Sequence, residues 1–206
     1  NRALRHGLLA YDRRHGYRGP ANTLDTARLV DSSYVATALA NANAPSPLIP
    51  AIVLNVAPDA VSLALADTKR VVLGPSSWRW TKKSIDAVVN PGDLIYVIDS
   101  LDGLLLAQRP EIDGALVSLN PHDGAVLALV GGFDFARNKL NHVTQALRQP
   151  GSNIKPFIYS AALDNGFSAA SMISAAPVVI EDTLGNTWKP ENYNKKFFGP
   201  TRLRRA

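Results

Sequence analysis

Apolar positions recur with three different textures along the chain. Residues 3–15, ALRHGLLAYDRRH, bring Leu4, Leu8, Leu9 and Tyr11 close to one face of a helix, and Gly16 is its expected stop. HGYRGP then breaks the pattern. From Ala21 to Ala44 the sequence is polar and alanine-rich with weak periodicity; Thr23-Leu24-Asp25 is placed to open a short helix, and ANANAPSP reads as a loop. Between Leu48 and Arg109 the period shortens to that of strands: IPAIVLNV, AVSLALAD, KRVVLGP, GDLIYVID and LLLAQRP are separated by Pro-Asp, Gly-Pro, Asn-Pro-Gly-Asp and Asp-Gly turns. Short strands at this spacing suit a small barrel of the OB type. Trp78, Trp80, Lys82 and Lys83 fall on the connection between the third and fourth of them.

At Gly114 the texture changes again. GALVSLNP and AVLALVGG flank His122-Asp123-Gly124, which predicts a hairpin. Its second run is so continuously apolar that a strand covered on both faces is expected. Beyond it, SNIKPFIYSAALDNG has helical spacing, with Ile154, Phe157, Ile158, Ala161 and Ala162 as a buried body and Asn165-Gly166 as the stop. APVVIED is an expected strand, WKPEN and FFGP read as ordered loops, and TRLRRA as the start of a further helix.

The chain has 206 residues and 46% hydrophobic content, enough to bury one large or two smaller cores. No apolar run is long enough to span a bilayer, and no signal peptide precedes Asn1, so an anchor or export signal is expected outside this chain. The absence of cysteine excludes thiol catalysis, disulfides and thiolate metal sites, and is compatible with a periplasmic setting. The net charge of +5 favours acidic partners. Arg2, Arg5, Arg13, Arg14 and Arg18 crowd the start, and Lys195, Lys196, Arg202, Arg204 and Arg205 the end; solvated faces are the plain reading of both runs.

The chemistry worth weighing lies in RQPGSNIKPF. Ser152 and Lys155 stand at i and i+3, neighbours on one helical turn. A serine hydroxyl is a poor nucleophile until a base removes its proton, and a desolvated, neutral lysine can do so. Pro156 has no backbone N–H and must lie in the first turn, so Ser152 sits at or just before the start of the helix and its amide faces out of the N-terminus, where the dipole favours an oxyanion. The competing reading is a serine N-cap beside a solvated lysine. A chain of this length shows roughly one S-x-x-K by accident, so the four residues alone do not decide. Other constellations are weaker. His6, His15, His122 and His142 lack metal-ligand spacing, and Asp99, Asp102, Glu111 and Asp113 sit at strand ends and turns rather than as a catalytic pair. No cofactor or metal site is expected.

The wording around the motif decides. GALVSLNPHDGAVLALVGGFDF, then NKLNHVTQALRQPGSNIKPFIYSAAL, and APVVIED, WKPENYNKKFFGP and TRLRRA in the same order, resemble the start of a penicillin-binding transpeptidase domain. ALRHGLLAYDRRHGYRGP is similar to what precedes the small β domain in class A (bifunctional) penicillin-binding proteins, of the 1A type of Gram-negative bacteria. The resemblance implies an α+β chain: a lead-in helix at 1–16, an OB-like β domain at 17–110, and the N-terminal part of a transpeptidase domain of β-lactamase-like serine acyltransferase fold at 111–206.

It implies further that Ser152 is the catalytic nucleophile and Lys155 assists its deprotonation. The substrates implied are peptidoglycan stem peptides ending in D-Ala-D-Ala, with β-lactams as covalent inhibitors. The parent protein would also carry a glycosyltransferase domain, a membrane anchor and a place on the periplasmic side of the inner membrane, with an outer-membrane or periplasmic regulator as a candidate partner of the OB-like domain. The S-x-N and K-[ST]-G motifs of the family do not occur between Ser152 and Ala206, so this chain alone is expected to be inactive. Three alternatives stay open: a serine β-lactamase-like hydrolase, a non-catalytic OB-type module binding single-stranded nucleic acid through exposed Trp78 and Trp80, and an inactive relative. The RQPGSNIKPF wording argues against nucleic acid as a partner.

Overall fold

The computed structural model describes residues 1–66 and 69–205; the last residue of AVSLALAD and the final alanine lie outside it. The chain divides into two compact units, Asn1–Ala146 and Leu147–Ala206.

The first unit opens with α1 (Arg2–Arg13), whose buried residues are Leu8, Leu9 and Asp12. Tyr11, expected on the buried face, is exposed, because the stripe rotates toward Asp12. Gly16 follows with a positive φ of 92°, the expected stop. The helix expected to open at Thr23 begins later and is shorter: Asn22–Thr23 forms strand β1, and Asp25 caps a single 3₁₀ turn over Thr26–Arg28. A second helix, α2 (Ser32–Asn41), arises where weak periodicity gave no signal. Its start is built by Asp31, whose carboxylate accepts from the amides of Ser33 and Tyr34, and only Val35 and Leu39 form its buried stripe.

The five strand segments read from the sequence appear as β2 (Ile49–Ala57), β3 (Ala60–Ala64), β4 (Arg70–Leu73), β5 (Asp93–Ser100) and β6 (Gly103–Ala107). With β1 they form one antiparallel sheet. Strand β5 is its centre. One edge of β5 pairs with β2, Ile52 opposite Leu94, and the other is shared between β1 at its start and β6 at its end. Gly92 makes the turn into β5 possible: its φ is 92°, and a Cβ there would sit 2.7 Å from the Leu24 carbonyl oxygen.

Period-2 alternation sends the two sets of side chains to different layers. Ala51, Val53, Ile95 and Val97 face a core closed by Trp78, Ile85, Val88 and Val89 from the connection between β4 and β5. Ile52, Ala64 and Leu94 face α2, and Tyr96 and Ala107 face Leu8 and Leu9 of α1. Each fully buried Ile, Leu or Val contributes about 2 kcal/mol, so stability concentrates in these layers. Trp78, expected to be exposed, is only 5% exposed. Trp80 is half-buried, and its indole N–H donates to the Leu106 carbonyl at 3.0 Å. Both rings close the core over β6 rather than offering a stacking platform.

Helix α1 is held by one buried carboxylate. Asp12 receives both guanidinium arms of Arg18 at 2.9 and 3.0 Å, the Gln108 amide at 2.8 Å and the Glu111 backbone N–H at 3.3 Å. Gln108 also donates to the Gly16 carbonyl and accepts from the Arg18 amide.

Strands β7 (Leu116–Leu119) and β8 (Val126–Val130) form the expected hairpin, joined by a turn in which Asn120 and Asp123 accept backbone amides. Among the described residues the two pair only with each other. Strand β8 was expected to be covered on both faces, but Val126, Leu127 and Leu129 are exposed. A two-stranded ribbon brings no layer of its own to cover a face.

The second unit holds α3 (Lys155–Asp164) and two ribbons, β9 (Met172–Ala175) with β12 (Gly199–Arg202) and β10 (Ile180–Glu181) with β11 (Thr187–Trp188). Three expectations need correction. APVVIED forms a strand only at Ile180–Glu181. Gly199 and Pro200 of the expected loop FFGP belong to β12, as do Thr201 and Arg202 of the expected helix TRLRRA; Leu203–Arg205 add a 3₁₀ turn. The ladder to Met172–Ala175 outweighs helix propensity there.

Two outcomes test this fold. Asp12→Ala strands Gln108, Arg18 and the Glu111 amide together, and should cost on the order of 3 kcal/mol in urea unfolding; a loss under 1 kcal/mol would refute the role given to Asp12. Burial, and secondarily the charge of Asp93, raises the Tyr17 pKa well above the usual phenol value. The unfolded chain then ionises first, so stability falls as pH rises beyond about 10. Tyr17→Phe should lose less stability than wild type between about pH 8 and about pH 11, roughly two units below and one above that threshold; equal losses would contradict it.

Candidate active site at the serine–lysine turn

The entry to α3 is built from Arg148-Gln-Pro-Gly-Ser-Asn-Ile-Lys-Pro. Pro150 holds the N-cap position, and Gly151 follows with φ 51°, in the left-handed region. Residues Gly151–Ile154 then form a 3₁₀ turn that runs directly into α3. Ser152 is therefore inside the turn and is not its cap. The cause is Pro156. An α-helix would close the Ser152 carbonyl with the N–H of residue 156, and proline has none. The Lys155 N–H takes that carbonyl instead, one residue earlier, which is a 3₁₀ bond.

That tighter winding matters for the chemistry. With three residues per turn, side chains at i and i+3 eclipse, so Ser152 and Lys155 lie along one line of the helix. The amides of Gly151 and Ser152 precede the first helical hydrogen bonds, leaving them at the positive end of the dipole. The turn thus places a serine and a lysine on one side of the helix start, at its amide end. It does not bury them: Ser152 and Lys155 are exposed. The desolvation that a lysine base needs is not supplied by this unit. The apolar body expected beneath the motif is exposed too, with Ile154, Phe157 and Ile158 at 44%, 71% and 56% and Ala161 and Ala162 not buried. In the second unit Leu203 is the buried hydrophobic residue among those described. Helix α3 is largely apolar, and the described residues of its unit leave that surface exposed.

Two residues not singled out as functional by the sequence reading shape this site. Pro150 and Gly151 set the entry, and their signal was the Pro-Gly pair itself.

The other candidates are dispersed. His15 shares a hydrogen bond with the Tyr11 carbonyl, His142 with the Gly131 carbonyl, His122 is exposed in the hairpin turn and His6 is exposed on α1. Among the described residues no group of His, Asp and Glu side chains is placed to hold a metal ion. Glu111 pairs with Arg18 at 3.1 Å, and Asp113 accepts the amide of Phe133 at 2.7 Å, while Asp99 and Asp102 stand exposed at the β5–β6 turn. No helix among the described residues is long and apolar enough to cross a membrane.

Comparison with known proteins covers both units. Residues 17–112 match the penicillin-binding protein OB-like domain, and residues 114–203 match the penicillin-binding protein transpeptidase domain. Penicillin-binding protein 1A of Escherichia coli K12 is 42% identical over 99% of this chain, and that of Pseudomonas aeruginosa PAO1 is 39% identical over 100%. The crystal structure of penicillin-binding protein 1A from Haemophilus influenzae superposes with a TM-score of 0.84 at 36% identity, covering 98% of this chain and 30% of that one. The chain spans 26% of the length of the two curated relatives.

Substituting Pro156→Ala supplies the missing donor. The amide introduced there should be protected from hydrogen exchange by the Ser152 carbonyl, with protection of the Lys155 amide falling in step. An unprotected amide at 156, read by NMR, would show that proline is not what winds the turn.

Proposed function

The chain belongs to the penicillin-binding proteins, and from that premise we propose that its full-length protein cross-links peptidoglycan as a D,D-transpeptidase with Ser152 as nucleophile. The observation that carries this reading is the 3₁₀ turn that sets Ser152 and Lys155 three residues apart at the start of α3, inside the segment matching the transpeptidase domain. In the reaction, Lys155 accepts the hydroxyl proton as Ser152 Oγ attacks the carbonyl of the penultimate D-Ala of a stem peptide. The tetrahedral oxyanion forms where the Ser152 amide points out of the helix. D-Ala leaves with a proton, and an amine of a neighbouring stem, or water in a carboxypeptidase reaction, resolves the acyl-ester. β-Lactams acylate the same oxygen.

The remaining assignments complete the reading. The β domain occupies 17–110 with a lead-in helix at 1–16, and the first part of the transpeptidase domain occupies 111–206; the domain matches at 17–112 and 114–203 support this division. Residues that desolvate Lys155, along with the S-x-N and K-[ST]-G motifs, belong to the rest of the parent protein. So do the glycosyltransferase domain and the anchor that holds it on the periplasmic side of the inner membrane. The OB-like domain is the docking platform for an outer-membrane or periplasmic regulator. The relatives' shared name, and the 26% of their length that this chain spans, support a longer penicillin-binding parent protein.

Mass spectrometry of the full-length protein with labelled penicillin should find one adduct, on Ser152, absent from Ser152→Ala. Lys155→Ala should slow acylation about a hundredfold. An adduct persisting in Ser152→Ala overturns the nucleophile, and rapid release of the label would point to a β-lactamase-like hydrolase instead.

A further inference from the structure

Between α1 and the sheet lies a groove of about 490 Å³. Leu9, Ala10, Ile98, Leu106 and the Trp80 ring give it an apolar floor, and Arg13, Arg14, Lys82 and His6 give it a basic rim. Among the described residues, no acidic side chain lines it. Its neutral polar groups are already engaged: the Trp80 indole N–H on Leu106, and both ends of Gln108 on Asp12, Gly16 and Arg18. What the groove has left to offer a ligand is apolar surface and positive charge.

Two of the cations lie over aromatic rings. The Arg13 guanidinium lies 5.4 Å from the centre of the Trp80 ring, and that of Arg14 lies 5.4 Å from Tyr11. Lys82 takes a left-handed backbone with φ 59°, a conformation that a β-carbon disfavours and that glycine would adopt freely. A strained lysine kept at the mouth of a groove suggests that its side chain, not its backbone, is what the position needs. Guanidinium groups bind discrete carboxylates in fork geometry, which favours them as ligands over a diffuse charged surface.

We propose that this groove docks an acidic peptide segment of a protein partner, with one or two apolar side chains on the floor and flanking carboxylates on Arg13, Arg14 and Lys82. The volume falls in the range of pockets that bury small ligands, so a few side chains fill it. The inference gives a site and a chemistry to the regulator docking proposed above, and for its biological role it rests on that reading.

The test is an NMR titration of the 206-residue chain with a peptide carrying a leucine–phenylalanine pair flanked by two aspartates. Shifts should map to Leu9, Arg13, Lys82 and the Trp80 indole. The peptide with asparagines in place of the aspartates should bind at least tenfold more weakly. Lys82→Gly should weaken binding at least threefold without lowering the melting temperature. Equal affinity for the two peptides, shifts elsewhere, no response to Lys82→Gly, or perturbation of the groove by phosphatidylglycerol vesicles and not by the peptide would each overturn the proposal. Groove binding that leaves the full-length protein's cross-linking rate unmoved would overturn the regulatory docking alone.

Discussion

Asp12 is a carboxylate placed where water does not reach it, and it is tolerated because four donors converge on it. Those donors come from the loop after α1, from the end of β6 and from the backbone beyond. One charge thus fixes the lead-in helix to the sheet and sets where the chain leaves the β domain. The groove is a consequence. With α1 clamped against β6, Leu9 faces the sheet, while Arg13 and Arg14, on the next turn, reach its rim. Arg18 is about a third exposed, so the pair's worth lies less in its charge attraction than in leaving no buried donor or acceptor unpaired.

The serine–lysine turn follows from a missing atom rather than an added contact. Proline at 156 removes one hydrogen, the carbonyl of Ser152 takes the preceding amide, and the helix tightens for one turn. Tightening changes i and i+3 from near neighbours to eclipsed positions. The sequence reading posed a nucleophile against an N-cap. Neither the cap position nor the capping role falls to Ser152, since Pro150 stands there. Ser152 stands two residues further in, with Lys155 three residues beyond it.

Sequence pattern and burial part company in the hairpin and in α3. Both are apolar enough to belong to an interior, and both are exposed within their own units. Apolar content states a requirement for cover; it does not supply the covering layer. In the β domain the layers are all present, which is why Ile52, Val53, Leu63 and Ile95 are fully enclosed. The same contrast separates what the motif brings, a serine beside a lysine, from the desolvation that would make that lysine a base.

Strands β2–β6 and the hairpin were legible because period-2 alternation and Gly, Pro and Asp turns are local signals. The S-x-x-K motif and Pro156 were legible as residues, and with them the start of the helix to within a turn. Helix α2 was not, since its evidence is an Asp31 cap and a stripe of two residues. Nor was the fate of TRLRRA, whose pairing partner lies about thirty residues earlier in the chain. Trp78 and Trp80 read as exposed because their burial depends on strands elsewhere in the chain, as the bond from the Trp80 indole to Leu106 of β6 illustrates. Local order thus came from the sequence by itself. Which face each side chain meets, which donors converge on Asp12, and that Arg13, Arg14 and Lys82 ring one groove were decided by tertiary structure, because each depends on contacts between residues distant in the chain.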